Sequence, residues 1–425
     1  MGKTKIYVET LGCPKNLVRT QDFYRQLNYG DYEVVYSPEE ADMIVVNTCG
    51  FISDAVEESL TVALELKEQY PDKSLVFAGC VPLRFGTQLV KTELPEFDYV
   101  VPGLDIPHLS SQHQESLQTS VLTYPYAYVS IAEGCDGRCS YCTIPKFWGS
   151  LKSRPASEIV GEINELCEIG IKEVILVSQD TGAWGTDIYG KPSLELLLNA
   201  LRDTQVPWIR LMYVNPTFIT ERLLRVWKDV GRVLPYFDIP VQSGSDKVLS
   251  LMRRGYNRKQ VLQVLQFIDD VFAENNTKRT SIMVGFPGET ESDVQATLDL
   301  LIQGQFHHVG VFGYSDEEEA DSYKLLPKID PAVIDSRKIS VERVALELQQ
   351  TWEQKTVGKT YQCLVEASSG SEFIGRVWGQ APEIDGVFVG KGEVEPGEMV
   401  EVVVEKTKPG QPIGRKKVQE VTSNT

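Results

Sequence analysis

The segment AYVSIAEGCDGRCSYC, residues 127–142, runs from a strand candidate, Ala127–Ile131, into three cysteines spaced CxxxCxxC: Cys135, Cys139 and Cys142. A four-iron cluster normally takes four cysteines. Three thiolates this close fit one face of such a cluster and leave one iron open to a small molecule, much as a catalytic zinc keeps an open position. Structural zinc also uses paired cysteines, but it needs a second close pair or nearby histidines. Neither follows within fifty residues. The segment therefore reads as a cluster-binding loop at the C-terminal end of a strand, a place where chemistry happens.

Outward from this segment, residues 127–330 keep alternating. Further strand candidates are Glu173–Val177, Trp208–Tyr213, Tyr236–Pro240, Lys278–Gly285 and His308–Phe312, with amphipathic helices between them such as Ala156–Cys167 and Val261–Phe272. About six strand–helix units imply a barrel-like parallel sheet, not fully closed, whose active site lies at the strand C-termini. The residues at those ends are Cys135, Gln179 with Asp180, Asn215, Gln242 and the run GFPGET from Gly285. Gly285–Gly288 suits either a close backbone approach to a ligand or an ordinary strand-to-helix turn.

Residues 1–103 also alternate. Strands are expected over Lys5–Thr10, Met43–Asn47, Ser74–Ala78 and Tyr99–Val101, and helices over Leu17–Asn28, Ser53–Gln69 and Leu83–Thr92. Strands alternating with helices imply a second parallel sheet. Cys13, Cys49 and Cys80 each fall just past one of its first three strands, 36 and 31 residues apart. Ligands bind at this edge of open parallel sheets. One buried free cysteine is an ordinary core residue, but three at successive strand ends imply a second cluster site. Gly12, Gly50 and Gly79 beside them permit the tight turns such a crevice needs.

Residues 104–126 form a polar connection whose His108 and His113 read as linker residues. A long amphipathic helix is expected over residues 336–355. Beyond it, the short runs TYQCLVEA, EFIGRVW, GVFVG, MVEVVVEK and KKVQEV read as five strands of a small β-barrel, of the oligonucleotide-binding type. That barrel carries eight Lys or Arg against ten Asp or Glu between Gly358 and Val421. A slightly acidic barrel suits protein better than nucleic acid. Cys167 and Cys363 read as core residues.

At 425 residues the chain is too long for one compact domain. No apolar run reaches membrane-span length, and MGKTKIYVETLGCPKN enters a strand with no secretory leader, so the expected compartment is the cytoplasm. There, eight cysteines stay reduced and suit metal better than disulfides. A net charge of −18 argues against a dominant phosphate-binding surface and favours a basic partner.

The CxxxCxxC run, with Tyr141 before its last cysteine, resembles the signature of radical S-adenosylmethionine enzymes. The whole chain is similar to their methylthiotransferase branch in domain order. That implies an N-terminal cluster domain over residues 1–119, a partial TIM-like radical barrel over 120–353 and a TRAM β-barrel over 354–425. The stretches LGCPKN (11–16), VSQDTGAWG (177–185), PYFDIPVQSGSDKVL (235–249), VGFPGETESD (284–293) and GVFGYSDEEEA (310–320) resemble the sub-branch that modifies small-subunit ribosomal protein twelve. The tRNA-modifying sub-branch usually has glutamine where this chain has Pro14. Two positions depart from the pattern: Trp148 stands where arginine is common and Ser243 where histidine is frequent.

The resemblance implies two 4Fe-4S clusters, one on Cys135, Cys139 and Cys142 and one on Cys13, Cys49 and Cys80, each with an open iron. It also implies S-adenosylmethionine as radical source and methyl donor, and a reducing electron donor. Tyr141, Gln179, Asp180, Gln242 and Gly285 are the expected cofactor-binding residues. The implied reaction is methylthiolation of the β-carbon of an aspartate in a basic ribosomal protein. The acidic run Asp316–Asp321 would then be either its docking surface or a solvated loop. The alternatives are a tRNA methylthiotransferase, which needs a basic track to the barrel, and, more remotely, a non-catalytic iron–sulfur redox protein.

Overall fold

The computed structural model describes residues 2–104, 106, 109 and 124–417. Its N-terminal unit is one parallel sheet of β1 (Thr4–Thr10), β2 (Tyr32–Val34), β3 (Met43–Thr48), β4 (Ser74–Gly79) and β5 (Tyr99–Pro102), in the order β2-β1-β3-β4-β5. Helices α1 (Pro14–Gln26), α2 (Ser53–Gln69), α3 (Cys80–Phe85) and α4 (Thr87–Glu93) complete it. The central strands are near-continuous apolar runs because both faces are covered: Ile44, Val45, Val46, Leu75, Val76 and Phe77 are all buried.

Three details differ from the sequence reading. The three-residue edge strand β2 carried too little pattern to be read. Helix α1 begins at Pro14 rather than Leu17, because a proline in the first turn loses no helical hydrogen bond. The single helix expected over Leu83–Thr92 is two, broken at Gly86, whose φ of +87° ends α3. His108 and His113 lie outside the described residues.

The second unit opens with β6 (Tyr126–Ser130), β7 (Ala132–Glu133), α5 (Ile144–Phe147) and β8 (Lys152–Ser153). It continues through α6 (Ala156–Glu168), β9 (Glu173–Val177), α7 (Thr186–Tyr189), α8 (Leu194–Ala200), β10 (Trp208–Leu211) and α9 (Glu221–Val230). It ends with β11 (Tyr236–Asp238), α10 (Asp246–Leu251), α11 (Arg258–Phe272), β12 (Thr277–Val284), α12 (Glu291–Gly304), β13 (His308–Gly313) and α13 (Pro331–Thr356). The long strands are parallel and pair in two runs, β6-β9-β10 and β11-β12-β13. The runs meet where Ile209 bridges Val233 and the Val214 amide donates to the Asp238 carbonyl over 2.9 Å. This is the open, partial barrel expected from six strand–helix units.

Helix α6 buries Ile159, Ile163 and Leu166, while Cys167 is only partly covered; the expectation that Cys167 is a core residue is corrected. Cys363 is buried as expected.

The third unit is a closed barrel of β14 (Thr360–Ser369), β15 (Glu372–Val377), β16 (Phe388–Lys391), β17 (Met399–Lys408) and β18 (Gln411–Lys416), in the order β14-β15-β16-β18-β17. Its fifth strand precedes the KKVQEV run, most of which lies outside the described residues. Gly414 makes this register feasible, since a Cβ there would sit 1.9 Å from the Val403 carbonyl oxygen. The small barrel packs against the N-terminal ends of the large barrel's strands. Arg376 reaches Glu173 at 2.6 Å and Glu366 at 2.5 Å, and Arg210 closes on Glu173 at 2.7 Å. Asp385 accepts from the Tyr236 hydroxyl beside Arg279. The opposite, C-terminal ends of the strands carry the cysteines and face the N-terminal unit.

Candidate functional site

The three N-terminal cysteines leave their strands through turns that interlock. A Cβ at Gly12, whose φ is +88°, would sit 2.5 Å from Cβ of Cys49, and one at Gly50 would sit 2.9 Å from the Cys80 backbone. Only glycine fits at these two crossings. Asn16, fully buried, ties the turns together. Its Nδ2 donates to the Leu11 carbonyl at 2.7 Å and the Thr48 carbonyl at 3.0 Å, while its Oδ1 faces the Cys80 thiol at 3.6 Å. The sheet thus gathers three residues distant in sequence at one edge.

The second triplet lies on the loop after β6. The Gly137 amide donates to Sγ of Cys135 at 3.2 Å, and Nη1 of Arg254 donates to Sγ of Cys139 at 3.2 Å. Arg254 also holds the Tyr141 hydroxyl at 3.2 Å, the Tyr256 hydroxyl at 2.8 Å and the Pro240 carbonyl at 2.7 Å. N–H groups aimed at the sulfurs suit thiolate ligands, because hydrogen bonds to sulfur stabilise their negative charge. Burial pushes the Cys49 and Cys142 thiols up to about 12 and also raises Cys80 and Cys135. Ligation at these four positions is therefore coupled to proton release.

Among the described residues, no group of three His, Cys, Asp or Glu is gathered closely enough to hold a single metal ion. Thiolates around one zinc share a single centre; those of a cluster sit on different irons and stand further apart. In donor chemistry, three thiols apiece, the triplets match a three-cysteine cluster face.

The strand ends of the large barrel supply the remaining wall. Gln179 has a buried Oε1 with no hydrogen-bond partner among the described residues, an unsatisfied acceptor at the expected cofactor wall. Burial pushes the Asp180 carboxyl up to about 6, and its Oδ1 accepts from the Asn215 amide at 3.4 Å. Gln242 and Tyr213 both adopt positive φ, 74° and 62°, as strained residues at functional sites often do. Tyr141 packs with Val248, Met252 and Phe286 beneath the loop. A Cβ at Gly285 would meet Ile334 of α13 at 2.4 Å, so its missing side chain makes room for that helix in the turn Gly285–Gly288.

Across the gap between the two units lies a residue that the sequence reading passed over. Lys15, two residues after Cys13, places its ammonium 5.3 Å from the centroid of the Tyr213 ring. Burial is the largest influence on its pKa and lowers it. Asn16 and Arg254 were also passed over. Lys15 and Asn16 stand in the quoted LGCPKN stretch, but nothing local separates their roles. Arg254 lies more than a hundred residues from the thiol it meets.

The two departures from the family pattern are accounted for. Trp148 lies under the Arg19 guanidinium. Ser243 is fully buried, its hydroxyl 3.3 Å from that of Thr297 and accepting from the Ser245 amide at 3.2 Å. The acidic run is largely spent inside the molecule. Arg84 binds Glu317 and Glu319, each at 2.6 Å, Lys328 pairs with Asp316, and Arg253 pairs with Asp321 at 2.5 Å. These four carboxylates are each paired with a cation of the same chain.

Residues 129–301 match the Radical SAM superfamily, residues 5–102 match Uncharacterized protein family UPF0004, and residues 357–414 match the TRAM domain. The chain is 36% identical over 421 residues to the ribosomal protein uS12 methylthiotransferase RimO of Thermotoga maritima, covering 95% of this chain and 97% of that protein. It is 39% identical to the protein of the same name from Thermosipho melanesiensis, with coverages of 92% and 94%. The corresponding figures for Clostridioides difficile are 36%, 94% and 96%. Among solved structures, the radical S-adenosylmethionine methyltransferase TsrM from Kitasatospora setae superposes with a TM-score of 0.52 at 14% identity, covering 74% of this chain and 75% of that one. It shares the fold.

Proposed function

The chain belongs to the ribosomal protein uS12 methylthiotransferase family, and from that premise we propose how its residues divide the reaction. It is a radical S-adenosylmethionine enzyme that replaces a hydrogen on the β-carbon of a uS12 aspartate with a methylthio group. The observation that carries this reading is the pair of cysteine triplets, each at the C-terminal edge of its own sheet, with Lys15 of the N-terminal unit against Tyr213 of the large barrel.

Cys135, Cys139 and Cys142 would hold the 4Fe-4S cluster that radical S-adenosylmethionine chemistry requires. Cys13, Cys49 and Cys80 would hold a second. When bound, the first cluster with S-adenosylmethionine would supply a radical able to take hydrogen from an unactivated carbon, and the second would hold the sulfur to be inserted. The protein's own work is to hold and shield. Arg254 and the Gly137 amide steady the first set of sulfurs, and Asn16 fixes the turns that present the second. Gln179, Asp180 and Gln242 offer polar contacts for S-adenosylmethionine at the strand ends, with Tyr141 and Gly285 behind them. A net charge of −18 favours a basic ribosomal protein as partner.

Electrons come from a separate reducing donor, and the working compartment is the cytoplasm. No helix among the described residues is long and apolar enough to cross a membrane.

The test is incubation of reconstituted, reduced protein with uS12 and, in parallel, with tRNA. One methylthio group should appear on the target aspartate of uS12 and none on tRNA. Modification of tRNA alone would overturn the reading.

A further inference from the structure

We propose that Lys15 binds the side-chain carboxylate of the target aspartate and thereby holds its β-carbon between the two cysteine triplets; this rests on the uS12 reading above. The placement is specific. Lys15 sits in the first turn of α1, two residues after Cys13. It belongs to the N-terminal unit, yet its ammonium lies against the ring of Tyr213, from the strained strand end of the large barrel. The side chain spans the gap between the two units.

It is also unengaged. The neighbouring cations have partners: Arg19 holds Glu133 at 2.9 Å and covers Trp148, and Arg254 is tied to Cys139, Tyr141, Tyr256 and Pro240. Lys15 makes no ion pair or hydrogen bond among the described residues, and its contact is the Tyr213 ring. The Asp180 carboxylate accepts from the Asn215 amide. A single, flexibly mounted point charge suits one carboxylate. The aspartate side chain places its β-carbon one bond from that carboxylate, so a salt bridge to Lys15 centres the reacting carbon in the chamber. Lys15 is thus a positioning and specificity-determining residue, selecting aspartate over its uncharged isostere asparagine.

The experiment compares uS12 peptides with Asp or Asn at the target position, bound to reconstituted protein without reductant. Wild type should favour the Asp peptide by about tenfold to a hundredfold, the range of a charge-assisted hydrogen bond. Lys15→Met and Lys15→Gln should bring the ratio near one at unchanged iron content, and Lys15→Arg should retain the preference. In turnover, Lys15→Met should raise KM for the Asp peptide. Equal binding of the two peptides by wild type, or an Asp preference that survives in Lys15→Met, overturns the proposal without touching the uS12 reading. Loss of peptide-independent 5′-deoxyadenosine formation in Lys15→Met also overturns it, assigning Lys15 to the carboxylate of S-adenosylmethionine. If wild type neither binds nor modifies the uS12 peptide, the underlying reading falls with it.

Discussion

The Arg19 guanidinium lies 3.4 Å from the centroid of the Trp148 ring, joining the helix after Cys13 to the loop after Cys142. Arg19 is mostly buried and also holds Glu133 at 2.9 Å. A stacked, partly desolvated cation over a tryptophan contributes about 1–2 kcal/mol. This chain has replaced the arginine common at position 148 with an aromatic surface on which Arg19 rests. A double-mutant cycle of Arg19→Ala and Trp148→Ala should give a coupling of about 1 kcal/mol in denaturant unfolding. Trp148→Arg, which sets two guanidinium groups face to face, should destabilise the protein by at least as much as Trp148→Ala. Additive single effects would show that the stack contributes nothing.

A second bond between the units is the clasp of Arg84 on Glu317 and Glu319. Burial alone would raise Glu317, but the Ser315 hydroxyl, Arg84 and the Ser53 amide outweigh it and hold the carboxyl below its ordinary range. Arg84 likewise holds Glu319 down. A carboxylate lowered on folding adds stability above its unfolded pKa, about 4.3, and loses it as pH falls through the folded value. The clasp should therefore be intact at neutral pH and fail only below about pH 4. Arg84→Met strands a buried Glu317 carboxylate and should cost about 3 kcal/mol at pH 7. The gap from wild type should shrink in unfolding curves taken below about pH 4. A gap independent of pH would remove the electrostatic account.

Why these contacts escaped the sequence is a matter of range. The strand-and-turn pattern was legible because it is local: Glu173–Val177 and Ser53–Gln69 have the same limits in sequence and structure. Cys13, Cys49 and Cys80 were legible because a parallel sheet brings its strand ends together, so topology stood in for distance. The ion pairs of the acidic run were not legible because its partners, Arg84 and Arg253, are remote in sequence. Gly285 was open to two readings because only the packing of Ile334 from α13 decides what its missing Cβ makes room for. Lys15 was passed over because an unpaired lysine is recognisable only once its surroundings are known.

Asn16 links the three N-terminal turns and so allows the second cluster to be tested without touching a ligand. Replacing it with alanine leaves the half-buried Leu11 carbonyl and the buried Thr48 carbonyl without this donor, at about 1–3 kcal/mol for the buried one. Reconstituted wild type should carry about eight irons per chain, two four-iron clusters. The Cys13/Cys49/Cys80 triple alanine variant should carry about four, and Asn16→Ala should fall between them. Both variants should still yield 5′-deoxyadenosine under reduction, because the first triplet is intact. One zinc and no labile sulfide in the wild type would sink the two-cluster assignment.

Arg254 bears on the electronics of the other triplet. Its guanidinium donates to Sγ of Cys139 while anchoring the Tyr141 hydroxyl, so one side chain both shields a ligand's charge and fixes the residue beside Cys142. Hydrogen bonds to cluster sulfurs favour the reduced, more negative form. Arg254→Met keeps much of the packing but removes the donor and the positive charge. The first cluster of that variant should therefore have a more negative reduction potential in a spectroscopic titration, with the second unchanged. Formation of 5′-deoxyadenosine should slow with a weak reductant and recover with a stronger one. Tyr141→Phe removes the hydroxyl anchor but leaves the Arg254–Cys139 contact, so it should leave the potential near wild type. A potential that moves equally in both variants would mean that Arg254 acts through loop placement rather than through its hydrogen bond to Cys139.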